Sequence, residues 1–259
     1  MRYVKILLLN LQQVFEQRAR SFVWFLLSLF GPLLMVLFWR GASTTISFSL
    51  ISSYYFLLVI GGSLLMSHSE EDISLIDIQE GHLGNYLLKP FMYFFAKWTE
   101  EIPYRLLQGS FGILTLFIFV LFVHINISIN FPKVLNIFIA IFLVIGGIIL
   151  AQIYKTCLGF IAFWMTDAYG VFQLSDMLIF VFGGYIVPLF LFPHTVEMIS
   201  YLIPFSYMIY FPVAAFVGLF NTQQLLLILL GQIVWISIFS LFYKMLLRNG
   251  LKAFTGVGQ

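Results

Sequence analysis

Charged residues are scarce in this sequence. Asp, Glu, Lys and Arg make up 9% of its 259 residues, whereas 61% are hydrophobic. Soluble domains contain roughly 25% charged and 45–50% apolar residues, so the composition excludes an ordinary soluble globular protein. It predicts an integral membrane protein. At ~20 residues per span, these residues allow about six spans and leave no room for a separate soluble domain of ordinary size.

Cysteine and nucleotide-binding motifs are also rare or missing. The single cysteine, Cys157, excludes an intrachain disulfide and a Cys-based metal cluster, and we expect it to be a packed apolar side chain. No Gly-x-x-x-x-Gly-Lys-[Ser/Thr] motif occurs, so we do not expect the chain to hydrolyse nucleotides itself. The 4 histidines show no tight metal-binding spacing. We predict no metal site, no catalytic residue and no cofactor on this chain, and no nucleic-acid partner.

The apolar segments predict an all-α fold. We expect six transmembrane helices, at residues 22–39, 48–66, 106–123, 134–154, 171–192 and 225–247. The end of the fourth span is open, because the apolar run continues past Lys155 to Met165. Either the helix is long and Lys155 snorkels to the interface, or the helix ends near residue 155 and an interfacial segment follows.

Residues 2–20 predict an amphipathic helix at the membrane surface. Apolar side chains recur there at helical spacing, and charged and amide side chains lie between them. A cleaved signal peptide is the alternative. It is disfavoured because Gln12, Gln13 and Glu16 interrupt the apolar core and no small-residue cleavage site follows.

Residues 194–221 are apolar but too short for two spans, and Pro204 and Pro212 interrupt them. They predict a re-entrant hairpin that enters from the outside and turns back within the protein. With this hairpin and six spans, both termini lie in the cytoplasm. All of the 13 Lys and Arg residues except Arg40 and Lys133 then fall on the cytoplasmic side, as the positive-inside rule requires.

Residues 69–90, called the polar segment below, interrupt the apolar runs. They contain the carboxylates Glu70, Glu71, Asp72, Asp77 and Glu80. In a bilayer core, at roughly 3 kcal/mol each, these would cost on the order of 15 kcal/mol. The polar segment is therefore predicted to be a cytoplasmic loop with solvated charges, where the membrane protein meets a soluble partner. A solvated loop is favoured over the buried carboxylates and histidines of an intramembrane hydrolase.

Asp176 is the sole carboxylate predicted to lie within a span, near the start of the fifth one. Two interpretations stay open. An intramembrane carboxylate is a candidate proton-relay or ion site. A carboxylate in the first turns of a helix can also be a hydrated residue at the membrane interface.

Several segments resemble ABC-2-type permeases, the membrane half of ABC exporters. Residues Gln79 to Pro90, QEGHLGNYLLKP, are similar to the loop pattern x-E-G-x-L-x-x-x-L-L-[KR]-P of an uncharacterised branch of that family. The predicted order of an amphipathic helix, two spans, a cytoplasmic loop and four more spans with a broken hairpin is similar as well. Further similar patches are Phe163-Trp164, Gly184 to Pro188, Leu191 to Pro193, Pro204 to Tyr207 and Gly250 to Gly258.

The resemblance implies a dimer of permeases in a bacterial-type plasma (inner) membrane, formed by two copies of this chain or by this chain and a sister chain. It also implies a separate ABC ATPase that binds ATP and Mg²⁺. The polar segment would be the coupling helix for that ATPase, with the residues Glu70, Glu71, Asp72, Asp77, Glu80, Gly81, Leu83, Leu87, Leu88, Lys89 and Pro90. The hairpin would form part of an external gate, with Pro188, Pro193, Pro204, Phe205 and Pro212. The alternative function is a stand-alone secondary transporter or channel.

Overall fold

The computed structural model of the chain describes residues 10–12, 23, 30, 31, 34–41, 47–88, 92–123 and 133–254. These residues form helices joined by turns, and no strand occurs among them, which confirms the predicted all-α class. In the described part of the chain, three helices are long and apolar enough to cross a membrane: Phe48–Gln79, Val134–Phe163 and Thr222–Ala253. The count of six spans stays a prediction. Most of the predicted interfacial helix 2–20 and of the first span 22–39 lies outside the described residues, although residues 34–41 are helical.

The helices follow one another closely along the described chain. Helix α1 is Phe48–Leu65, α2 is Ser69–Asp72 and continues as the π-helical Ile73–Gln79, α3 is Leu83–Leu87, and α4 is Tyr93–Val123. Helix α5 is Val134–Gly159, followed by the 3₁₀ turn Phe160–Phe163, and α6 is Tyr169–Phe182. After the 3₁₀ turn Leu189–Leu191 come α7, His194–Ser200, α8, Pro204–Met208, α9, Tyr210–Val217, and α10, Thr222–Ala253.

The main hydrophobic core lies between α1, α5, α8, α9 and α10, with α5 packed along α10. Among its largest buried side chains are Tyr54, Tyr55 and Phe211. Both tyrosines also bind the turn after α6. The Tyr54 hydroxyl donates to the Gly184 carbonyl at 3.0 Å, and the Tyr55 hydroxyl donates to the Ile186 carbonyl at 2.8 Å. These hydrogen bonds attach the irregular stretch after α6 to α1.

The fourth predicted span continues as a helix beyond residue 154. Helix α5 passes through Lys155 and ends at Gly159. The helix therefore extends beyond residue 155, but the expected snorkelling of Lys155 to the interface is wrong. Its side chain is 1% exposed, because carboxylates from other helices surround its ammonium group.

The fifth predicted span, 171–192, is wrong as one continuous helix. Helix α6 ends at Phe182 after 14 residues, a length of about 21 Å, whereas the hydrocarbon core is about 30 Å thick. Gly184 follows with a φ of +80°, which residues with a side chain rarely adopt. A Cβ there would lie 2.2 Å from the Tyr54 hydroxyl oxygen. The glycine pair at 183 and 184 therefore supports a turn and not a further helical turn.

The segment 194–221 is a chain of short helices. The helix breaks at residues 201–203 and again at Ile209, and Gly218 ends α9 in the left-handed conformation with a φ of +85°. Residues of α8 and α9 are mostly buried against α1 and α5, so protein covers the backbone that the breaks leave unpaired. That this segment is a re-entrant hairpin and that it faces the outside both stay predictions.

The contact between α5 and α8 can be tested at Gly147. A Cβ on Gly147 would lie 2.7 Å from the Met208 carbonyl oxygen, a backbone atom that cannot move independently. We expect Gly147→Ala to destabilise the protein by about 1–3 kcal/mol through overpacking. Gly170→Ala is the matched control, since nothing lies within 4 Å of that position. Thermal unfolding in detergent measures both, and equal stabilities would contradict the close packing.

Candidate functional site

The polar segment is not uniformly solvated. Glu70 is 2% exposed and Asp77 is 1% exposed, so the prediction of solvated charges is wrong for these two carboxylates. Residues on the opposite side of the same helical stretch, among them Glu71, Asp72 and Glu80, are exposed as predicted. The physical reason is that cations on α4 and α5 lie against the inner side. A buried carboxylate is stable when a cation and hydrogen bonds accompany it.

The first buried ion group, called the Lys155 triad below, consists of Glu70, Lys155 and Asp176. The Lys155 ammonium nitrogen lies 2.5 Å from Glu70 Oε1 and 2.5 Å from Asp176 Oδ1. The Asp176 side chain is 28% exposed, whereas the other two are almost completely buried. One cation therefore joins α2, α5 and α6, and it gives the lone carboxylate of α6 a specific partner.

The second ion group joins the polar segment to α4. The Lys97 ammonium lies 2.8 Å from Asp77 Oδ2 and 3.1 Å from Glu100 Oε2. The Tyr93 hydroxyl donates to Asp77 at 2.5 Å, and the Tyr86 hydroxyl donates to Glu100 at 2.6 Å. Burial lowers the pKa of Lys97, but the Glu100 and Asp77 carboxylates outweigh this effect, and the net result is a pKa above the ordinary lysine value. Lys97 is therefore charged at neutral pH.

The third ion group lies where α1 ends. Arg105 on α4 donates from Nε and Nη2 to Glu101 Oε2, at 3.0 and 2.7 Å. Its other donors reach the Leu64 carbonyl at 3.2 Å and Gln152 Oε1 at 2.7 Å. The Ser67 hydroxyl donates to Glu101 Oε1 at 2.8 Å. This network holds the end of α1 against α4 and α5, and Arg105 satisfies a carbonyl that the helix end leaves unpaired.

A small apolar core supports the same region. Ile73, Leu83 and Phe160 are completely buried in it, and side chains near the end of α10 pack around them. Gly159 permits this packing, because a Cβ there would lie 2.7 Å from Ile73 Cβ. Together, the ion groups and this core attach the polar segment firmly to α4, α5 and α10.

Within the described residues, the outer side of the polar segment is exposed. Leu88 is 88% exposed, and Leu75, Ile76 and Leu87 are exposed beside the acidic residues. Gly81, with a φ of +82°, turns the chain between the π-helical stretch and α3. Five of the predicted coupling residues are exposed: Glu71, Asp72, Glu80, Leu87 and Leu88. Gly81 is half-buried, and Glu70, Asp77 and Leu83 are buried. The remaining two, Lys89 and Pro90, are not among the described residues.

The predicted gate residues lie in the irregular part that follows α6. Pro188, Pro204 and Pro212 are buried, Phe205 is half-buried, and Pro193 is exposed. The Phe205 ring packs edge-on against Tyr154, with the ring centroids 5.6 Å apart. Tyr154 neighbours Lys155 in sequence, and its hydroxyl lies 2.9 Å from the Ser175 hydroxyl. The segment 194–221 therefore reaches the helices that carry the Lys155 triad.

The cations that hold the polar segment were not predicted from the sequence. Lys97 and Arg105 entered the prediction only through the orientation of the spans, and Lys155 also through the end of the fourth span, yet all three are buried and ion-paired. The available signal was the lone Lys155 in a long apolar run and the lone Asp176 in another. Two isolated opposite charges in apolar runs indicate a pair, because each alone would be costly in a membrane.

Replacing Lys155 tests the triad directly. We expect Lys155→Met to destabilise the protein by about 3–5 kcal/mol, since it leaves Glu70 and Asp176 without their cation. The triple variant Glu70→Gln/Lys155→Met/Asp176→Asn should recover most of that loss, because it leaves no unpaired charge. Lys133→Met, an exposed site before α5, is the control and should change little. Unfolding in mixed detergent micelles measures the four proteins. A Lys155→Met variant as stable as the parent would disprove the buried ion group.

The family model for ABC-2 family transporter proteins matches residues 22–258. No curated protein and no solved structure is similar enough to match the chain. The match covers nearly the whole sequence, including the polar segment and the predicted hairpin, and it agrees with the apolar helices of the structure. The chain therefore belongs to the ABC-2 family of membrane transporter proteins.

Proposed function

We propose that this chain is the permease subunit of an ATP-driven exporter, and that the outer side of the polar segment binds a separate ATPase. Family membership supports a membrane transport subunit, and permeases of this family typically pair with ABC ATPases. The observation that carries the proposal is the two-sided polar segment. Its inner side is held by buried ion pairs, while its outer side exposes acidic and apolar side chains.

The outer side has the chemistry of a protein docking surface. Leu75, Ile76 and Leu88 are exposed in the same segment as the exposed carboxylates Glu71 and Glu80. Apolar side chains each gain about 1.5–3 kcal/mol on full burial, and carboxylates at the rim select a basic partner. The complementary surface is a groove with an apolar floor and Lys or Arg at its edge. In this proposal such a groove belongs to the ATPase.

The buried ion groups give a route for movement from this surface into the membrane helices. A displacement of the polar segment pulls on Lys155 through Glu70, and Lys155 also holds α6 through Asp176. The adjacent Tyr154 contacts Phe205 in the segment 194–221. Ion pairs in a low-dielectric site resist separation, so the connected elements move together.

The complete transporter in this proposal is a dimer of permeases, homomeric or with a sister chain, on two ATPase subunits that bind ATP and Mg²⁺. Closure of the ATPases brings the two polar segments together, and the spans rotate to open the cavity outward. The bacterial-type plasma (inner) membrane, the cytoplasmic termini and the external gate belong to the same proposal.

The first experiment is purification of the tagged chain in mild detergent, with mass identification of co-purifying proteins and an ATPase assay. Replacing Leu75, Ile76 and Leu88 by serine should reduce the bound ATPase on the order of 100-fold, because each loses part of its burial energy. Met198→Ser/Leu202→Ser is the matched control at exposed residues of the hairpin, and it should retain the ATPase. A chain that purifies alone would favour a secondary transporter, with Asp176 as the residue to test.

The connection through the Lys155 triad has its own test. Spin labels on Glu80→Cys and Leu202→Cys, in a Cys157→Ala background, report the distance between the polar segment and the hairpin. In the assembled transporter, trapping with ATP and vanadate should change this distance. In Glu70→Gln/Lys155→Met/Asp176→Asn the ATPase should still bind and hydrolyse ATP, but the change should be lost. A full distance change in the triple variant would refute the connection while leaving ATPase docking intact.

A further inference from the structure

The last turns of α10 carry three cations on one face. Lys244, Arg248 and Lys252 follow at intervals of four residues, and all three are exposed. At 3.6 residues per turn, successive members are rotated by about 40°, so they lie within about 80° of one another. They extend over about 12 Å of the helix. We call this the basic face.

The basic face continues an apolar surface of the same helix. Leu230, Val234 and Leu241 precede it at nearly the same angular position, and each has more than half of its surface exposed. Helix α10 is also one of the helices long and apolar enough to cross a membrane. A single exposed stripe therefore changes from apolar to basic between Leu241 and Lys244. A helix that leaves a bilayer passes from the acyl chains to the headgroups, and the stripe changes from apolar to basic in the same order.

The opposite face of α10 is packed, which fixes the direction of the basic face. Gly250 lies so close to Phe163 that a Cβ there would be 2.1 Å from the ring. Phe254 also contacts Phe163, and Tyr243 contacts Phe160, at centroid distances of 6.2 and 5.5 Å. Rotating α10 to bury the cations would break these contacts. The cations therefore remain on the outer surface.

None of the three cations forms an ion pair with a carboxylate of the described residues. The three buried cations Lys97, Arg105 and Lys155 are all paired. The basic face thus concentrates positive charge without a partner in the described part of this chain. Such a surface attracts anions at the level where it lies.

We propose that the basic face binds the headgroups of anionic phospholipids, whose acyl chains cover the apolar stripe beside it. This proposal does not depend on the ATPase. A second copy of the chain fits poorly, because a symmetric contact about an axis along the membrane normal would bring identical cations together. An acidic soluble protein would explain the cations but not the apolar stripe that precedes them. A phospholipid explains both.

The test measures phosphatidylglycerol binding to the purified full chain by native mass spectrometry, with phosphatidylcholine as the uncharged comparison. A cation near an anionic surface contributes about fivefold in affinity. Lys244→Gln/Arg248→Gln/Lys252→Gln should therefore weaken phosphatidylglycerol binding on the order of 100-fold and leave phosphatidylcholine binding unchanged. Higher ionic strength should weaken binding to the parent chain and not to this variant.

Two further variants separate charge from structure. Lys244→Arg/Arg248→Lys/Lys252→Arg keeps the charges and should bind phosphatidylglycerol within about threefold of the parent. Arg40→Gln/Lys133→Gln removes exposed cations elsewhere and should not weaken the binding. Undiminished binding by the triple glutamine variant would overturn the proposal. Loss of the ATPase, or a changed oligomeric state, with phosphatidylglycerol binding unchanged would overturn it in favour of a protein partner or a second copy.

Discussion

One buried ammonium group holds together the part of this protein where membrane helices meet the polar segment. Lys155 is almost completely buried and lies 2.5 Å from carboxylates on two other helices. A charge in such a site is stable only with opposite charges close by, so the positions of Glu70 and Asp176 depend on it. Glu70 belongs to α2 and Asp176 to α6, so the need to pair the Lys155 charge holds both helices against α5.

This pairing and that of Lys97 divide the polar segment into a buried side and an exposed side. The inner carboxylates are occupied by Lys155 and Lys97 and are not available to a partner. The outer carboxylates and leucines are exposed, and in the proposed function they are the residues that the ATPase contacts. The basic face of α10 provides a separate exposed surface with opposite charge. The structure therefore separates the side chains that hold this end of the molecule together from the exposed ones that the two proposals assign to other molecules.

The predictable part of the fold came from helical periodicity and hydropathy. Helices α1, α5 and α10 lie where apolar runs predicted them. The error at the fifth span arose because the apolar run continues to Phe192, while the helix stops at Phe182 for a local reason. Gly184 adopts a positive φ and packs against the Tyr54 hydroxyl. Hydropathy measures only how apolar a segment is, so it does not predict this turn.

The sequence by itself determined the class of the protein: too few charges for a soluble domain, apolar runs of spanning length, and motifs that match a transporter family. It also determined that residues 69–90 are polar. Only the tertiary structure decided which of their carboxylates are buried. Helical spacing defines two sides of a helix, but the choice of the inner side depends on Lys97 and Lys155. Lys155 lies 85 positions along the chain from Glu70, and folding alone brings it there.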